Sequence, residues 1–410
     1  AEPLAAMRLT FALSYPLAAL AMGWLARDLW RREGEPANEW AGVVAALVYT
    51  YVPYHLANVQ FRGALAESWA MVWAPLILWA VWRGRAWPLA LATAALILTH
   101  NLSVLLVAPV AAFWALGALA RRGRAGAKGY LRALLGAGAL ALLLAAPYWL
   151  PVLLESGYVR IAQDVGGEGY ARHLLPLREW VAPGLGYAFR LAPDDLTFRL
   201  SWAQLALLAA ALVPGVALAR ARRTLALPLA LAWGMVALSI FLLTPASLPL
   251  WRAIEPMTLL QYPWRWLGVT ALATALVASA PLALGARSRR LWLPTVALLA
   301  LWMAGAALRA LPWAPLAVEP RDHPATMWAQ DVANGQVGAT WTAEFLPLTV
   351  TEQRWALALA PELIPTVGER TPLRLIAAAS DGFTLRATVE ADKAGWLTFP
   401  RFAYPSFRAM

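Results

Sequence analysis

Arg62 and Glu67 lie five residues apart in "PYHLANVQFRGALAES", between two strongly apolar segments. A guanidinium can grip a phosphate with two parallel hydrogen bonds. A carboxylate in the first turn of a helix is favoured by the helix dipole, and Glu67 could orient Arg62 or bind an acceptor alcohol. The same pair also reads as a helix-terminal ion pair that serves topology alone. A second stretch, "THNLS", places His100 and Asn101 inside an apolar run, either as polar residues of a tight reversal or as the lining of a cavity. A third, "EPMTLLQYPWRWLG", crowds Gln261, Tyr262, Trp264, Arg265 and Trp266 around Pro263. It reads as an interfacial aromatic belt with a snorkelling arginine. It also reads as an arginine walled by aromatic rings, holding the phosphate head of a polyprenyl lipid whose tail runs between helices.

These residues sort into candidate roles. Arg62, Arg265 and Gln261 are the phosphate-binding candidates. Tyr54, His55, His100, Asn101, Tyr262 and Trp264 are the candidates for lining a cavity or meeting an acceptor. The catalytic residue is unknown, with Glu67 as its candidate. No second histidine stands at ligand spacing from His100, so a histidine-rich metal site is not expected. Asp194 and Asp195 are adjacent acids in a loop and read as solvated. Glycine-rich nucleotide loops, a serine-hydrolase elbow and a His-Glu-x-x-His zinc motif do not occur in the sequence.

The elements that must position these groups are membrane helices. The 410 residues are 61% hydrophobic and 14% charged, against about 25% charged in soluble domains. Ten apolar segments are expected, at roughly 7–29, 39–56, 64–82, 86–99, 101–120, 131–154, 199–219, 224–244, 261–285 and 291–309. Basic clusters follow every second segment: Arg27, Arg31 and Arg32; Arg83 and Arg85; Arg121, Arg122, Arg124, Lys128 and Arg132; Arg220, Arg222 and Arg223; Arg287, Arg289 and Arg290. The positive-inside rule puts these loops in the cytoplasm and the others outside. The net charge of +11 follows from that rule and does not imply nucleic acid. Residues 86–120 begin and end near arginines, so they cross an even number of times, reversing near Thr99, His100, Asn101 and Ser103. Their helical length of about 52 Å falls short of two full crossings of ~30 Å. A short, tilted or re-entrant hairpin is expected. Zero cysteines exclude disulfides and thiol chemistry.

Two pieces are expected outside. Residues 155–198 form a loop with Asp164, Glu168, His173, Arg178, Glu179, Asp194 and Asp195. Residues 312–410 alternate with period two in "PLRLIAAA", "FTLRATVE" and "WLTFPRFAY", which predicts a small extracytoplasmic β domain. The expected division is a transmembrane domain over 1–311 and a β-rich domain over 312–410. The opening "AEPLAAMRLT" and the ending "YPSFRAM" read as cuts from a longer protein.

Five segments in order resemble one family. "PYHLANVQFRGALAES", "LILTHNLSVLL", "QYPWRWL", "TWTAEFLPLTV" and "FAYPSFRAM" are similar to stretches of the bacterial membrane proteins called 6-pyruvoyl-tetrahydropterin synthase-related. Ser406 and Phe407 replace the Gly-Trp of the last stretch. The label implies no pterin chemistry. The resemblance adds Glu344, in "TWTAEFLPLTV", to the cavity-lining candidates. It implies a GT-C-like layout and a glycosyltransferase in the bacterial plasma membrane. Such an enzyme takes a sugar from a polyprenyl-phosphate donor on the outer face and passes it to a glycan or lipid acceptor. The resemblance implies that the usual catalytic Asp sits in an outer loop N-terminal to Ala1. It leaves a divalent metal open and assigns no residue to one. The alternatives are a lipid or glycan transporter or flippase, and a non-catalytic membrane scaffold.

Overall fold

The computed structural model describes residues 3–32, 34–60, 62–159, 168–182 and 198–310, together with residue 348 and the segments 366–367, 373–380, 385–391 and 397–398. The chain divides into two compact units. One combines residues 1–150 and 167–313, and the other combines residues 151–166 and 314–410. The sequence-based boundary at 311/312 therefore differs by assigning 151–166 to the larger part.

The first unit is helical. Its long helices are α1 (Pro3–Leu29), α2 (Glu39–Tyr51), α3 (Pro53–Gln60), α4 (Leu65–Arg83), α5 (Ala86–Thr99), α6 (Asn101–Leu144), α7 (Ala146–Glu155, which runs into the second unit), α8 (Trp202–Ala221), α9 (Arg223–Phe241), α10 (Leu267–Ser279) and α11 (Ala286–Ala310). Six described stretches are long and apolar enough to cross a bilayer: 5–29, 65–83, 101–144, 202–221, 223–241 and 263–284. Large apolar side chains such as Leu20, Leu135 and Val213 stand exposed on these helices. In water this surface would be a liability, and in lipid it is the expected outer face. The protein is a helical, multi-pass membrane protein.

The expected segments overlap described helices, and 131–154 is interrupted at Ala145, between α6 and α7. The 39–56 segment is broken at Val52, where Pro53 opens a separate α3. Proline is well placed there, because its missing N–H is not needed in a first turn. α6 is two helices that meet at Gly123, whose backbone (φ 63°, ψ −176°) is not helical, so the connection expected over 121–132 is a break at Gly123 flanked by helical residues. Alanine, arginine and lysine are strong helix formers and outweigh the glycines between them. The reversal at His100 falls where expected. α5 has only 14 residues, or about 21 Å, so this arm is the short one.

α10 is the centre of the unit. Every residue from Leu267 to Ser279 except Gly268 is buried, and it packs against α2, α3, α8 and α9. Small hydroxyl side chains stitch it to its neighbours. Gln204 Nε2 on α8 donates to Thr274 Oγ1 at 3.0 Å. Thr270 Oγ1 donates to Ser239 Oγ on α9 at 2.8 Å. Trp30 Nε1 donates to Ser279 Oγ at 3.0 Å. Apolar side chains gain little from leaving lipid for each other, so such bonds and close packing hold membrane helices together. The α1–α2 contact uses the second device. A Cβ on Gly42 would lie 2.9 Å from the Gly23 carbonyl oxygen, so only glycine permits this approach.

The second unit contains strand. β1 (Val181–Ala182) and β2 (Leu200–Ser201) form a short parallel pair in the helical unit. In the second unit, β3 (Thr366–Val367) pairs antiparallel with β6 (Leu397–Thr398). β4 (Leu373–Ser380) pairs antiparallel with β5 (Leu385–Ala391), with a bulge between Leu375 and Ala377. The β4–β5 hairpin falls on the alternating "PLRLIAAA" and "FTLRATVE" segments.

Candidate functional site

The site is built where α3, the start of α4, the α5–α6 reversal and the Pro263–Trp266 turn meet. α3 is short and ends at Gln60, so the chain turns through Arg62 and Gly63 (φ 60°) before α4 starts. Glycine accepts this left-handed backbone without strain. Glu67 then falls in the first turn of α4, as expected, and is buried at 4% exposure.

Both carboxylate oxygens of Glu67 are engaged. Arg62 Nη1 donates to Oε2 at 2.6 Å. The Tyr54 hydroxyl donates to Oε1. Arg62 Nη1 also donates to Asn58 Oδ1 at 2.7 Å, one turn back on α3. The guanidinium of Arg62 lies over the Trp264 ring, 4.6 Å from its centroid. This cation–π contact adds to the ion pair.

Arg265 approaches the same ring. Its guanidinium carbon is 5.8 Å from the Trp264 centroid and 5.9 Å from that of Tyr262. Tyr262 stacks on Trp264 at 5.1 Å with 21° between planes, and Phe198 closes on Trp264 at 4.4 Å. Arg265 is 5% exposed, and its Nε and Nη1 atoms have no hydrogen-bond partner among the described residues. A buried charged group without partners is costly. Among the described residues, two guanidinium cations thus face the single carboxylate of Glu67, leaving one positive charge in excess.

Glu67, Tyr54 and Arg265 line one cavity of about 50 Å³. Apart from Ser103 and Tyr49 its remaining wall is apolar and descends along α4 from Ala70 to Leu78. From Glu67 to Leu78 a helix rises roughly 16 Å. The polar groups therefore gather at one end of an apolar slot. Gly268 also lines it, and a Cβ there would lie 3.2 Å from Tyr54 Cε1. Glycine lets the Tyr54 ring sit against α10 and keeps its hydroxyl on Glu67.

His100 reaches the cavity through Ser103, which the sequence shows only as part of the reversal. His100 Nδ1 and Ser103 Oγ are 2.7 Å apart. Ser103 is buried and forms part of the cavity wall. Burial pushes the His100 imidazole down to about 4, with Glu67 opposing that shift and Arg265 and Arg62 reinforcing it.

Other candidates fall elsewhere. His55 is buried against Tyr15, with ring centroids 4.8 Å apart, and its Nδ1 lies 3.0 Å from the Tyr49 carbonyl. It is a packed residue beside the cavity wall, not part of the polar end. Asn101 is exposed, and its Oδ1 accepts from the Leu102 amide at 2.8 Å. It satisfies one amide in the first turn of α6, whose N-cap position is His100. Gln261 has a left-handed backbone (φ 61°), uncommon for a residue other than glycine. It leads into the Pro263 turn, and the described cavity wall does not include it. Tyr262 stacks at the rim and meets the His173 ring edge-on at 5.1 Å. Glu344, Asp164, Asp194 and Asp195 lie outside the described residues, as does the Glu168 side chain. Among the described residues, no group of three or more His, Asp or Glu is placed to hold a metal.

No protein-family model matches this sequence, and a comparison with curated proteins yields no match either.

Proposed function

We propose that this chain is the membrane part of a GT-C-type glycosyltransferase. It would take a sugar from a polyprenyl-phosphate donor and pass it to a glycan or lipid acceptor on the outer face of a bacterial plasma membrane. The observation that carries this reading is Arg265: a guanidinium 5% exposed, with two nitrogens unpartnered among the described residues, at the polar end of an apolar slot. A single anion balances the excess charge. An apolar slot beneath the anion suits a lipid that carries it.

The proposed topology has ten crossings, with the five arginine-rich connections inside and residues 155–198 and 312–410 outside. Arg62, Glu67, His100 and Arg265 then share the outer side. Arg265 holds the phosphate and stabilises charge building on it as the bond to the anomeric carbon breaks. Arg62 is already held by Glu67 and Asn58 and adds positive field at the mouth. The aromatic wall of Tyr262, Trp264 and Phe198 offers a face for the sugar.

A transport reading is less well supported. The slot below Glu67 is apolar from Ala70 to Leu78, whereas a polar cargo needs polar groups near mid-membrane. Reconstituted full-length protein given undecaprenyl-phosphoryl-[14C]glucose, with lipid and oligosaccharide acceptors, tests the proposal. Label appearing on an acceptor supports it. Absence of transfer to every acceptor, together with no binding of undecaprenyl phosphate, rejects it.

A further inference from the structure

We propose that Ser103 and His100 form the proton relay of this site, with Ser103 meeting the acceptor hydroxyl and His100 receiving the proton. The inference rests on the transferase reading above and assigns its base. The resemblance expects that role of an aspartate in a preceding loop, so the two assignments are distinct.

Three observations carry it. First, Glu67 is unsuited to act as base. One oxygen accepts from Tyr54 and the other from Arg62 at 2.6 Å, and taking a proton would break this pairing. Second, Ser103 Oγ lies in the wall of the cavity that Glu67 and Arg265 also line. Third, His100 Nδ1 lies 2.7 Å from that oxygen, the reach required of a base toward the group it serves. His100 is only partly buried, so the ring has a route for the proton to leave.

The step balances as follows. The acceptor oxygen attacks the anomeric carbon and forms the new C–O bond. The bond from that carbon to the phosphate oxygen breaks, and its electron pair stays on the lipid phosphate beside Arg265. The acceptor proton passes to Ser103 Oγ while the Ser103 proton passes to His100 Nδ1. The imidazolium then releases its proton to water.

The charges facing His100 make this relay responsive to the donor. Glu67 on α4, Arg62 just before α4, and Arg265 in the Pro263 turn all act on it. With the site empty they sum to one positive charge, which opposes an imidazolium. A bound phosphate anion cancels that excess. His100 therefore becomes a better proton acceptor once the lipid phosphate is in place, and better still as negative charge builds on the leaving phosphate.

The test uses full-length protein with 13C-labelled histidine. The His100 signal is assigned with His100→Asn, since asparagine is favoured at the N-cap position that His100 occupies. Titration with and without undecaprenyl phosphate should show the His100 midpoint moving up by at least half a pH unit when the lipid is bound. Sugar transfer should fall about a hundredfold or more in Ser103→Ala and in His100→Asn, the usual worth of a positioned acid or base. Undecaprenyl phosphate binding should stay within threefold of wild type in both. Imidazole in the buffer should restore part of the activity of His100→Gly. Variants that transfer sugar at near wild-type rate overturn the relay and leave the transferase reading standing. A midpoint unmoved by the lipid also overturns the relay. A wild-type protein that binds the lipid and transfers nothing overturns both.

Discussion

Arg62 Nη1 donates to Glu67 Oε2 at 2.6 Å across the turn between α3 and α4. The carboxylate is buried and the guanidinium partly so. The pair fixes the start of α4 and draws Arg62 onto Trp264. Removing one partner of a buried pair costs about 3–5 kcal/mol, because the other charge is left uncompensated. Glu67→Ala leaves both Arg62 and Arg265 without their anion. Thermal unfolding in detergent should show it to be more destabilising than Arg62→Ala. The double variant Arg62→Ala/Glu67→Ala should be less destabilised than the sum of the two single changes.

Gly268→Ala tests the support behind this pair. The new methyl would sit 3.2 Å from Tyr54 Cε1, and the ring must shift to admit it. Overpacking a filled interior costs about 1–3 kcal/mol. The expected result is a modest loss of thermal stability and weaker binding of undecaprenyl phosphate. Gly305→Ala, where a Cβ meets nothing within 4 Å, is the control and should leave binding unchanged.

The pH dependence of stability follows from His100. Burial holds its imidazole down to about 4, below the ~6.5 of an unfolded chain. Between these values the unfolded state binds more protons. Stability is then fully present above about 6.5 and is lost as pH falls toward 4. Melting temperatures of wild type and His100→Asn, measured from pH 7.5 to 4, should converge as the medium becomes acidic. A constant difference across the range would contradict the burial argument.

Sidedness is testable because the chain lacks cysteine. Single cysteines at Arg124, on the basic stretch of α6, and at Gly157, after α7, should react with a membrane-impermeant maleimide from opposite sides. Gly157→Cys should label in intact cells. Arg124→Cys should label only after the membrane is opened.

Much of this arrangement is legible in the sequence, and the reasons differ by residue. Helical segments show because burying backbone in lipid demands long apolar runs. The reversal at His100 shows because Thr99, His100, Asn101 and Ser103 interrupt such a run. The Arg62–Glu67 pairing shows because both residues sit in one short link. The meeting of Arg62 and Arg265 over Trp264 does not show, since about 200 residues separate them and only packing around α10 joins them. Ser103 is hidden for the same reason: its place in the wall depends on α4 and α10 closing the cavity. His55 misleads, because a histidine packed between Tyr15 and Tyr49 has the same sequence context as one lining a site. The helical residues flanking the break at Gly123 are also missed, as arginines and glycines resemble a loop until helix propensity is weighed.

The central claim is that Arg265 holds an anionic lipid head, and the direct measurement is the affinity of purified protein for undecaprenyl phosphate, wild type against Arg265→Ala. Loss of a buried charge partner costs at least about 2 kcal/mol, so binding should weaken thirtyfold or more, while Arg222→Ala on the opposite connection leaves it unchanged. Equal affinity in wild type and Arg265→Ala would contradict the account.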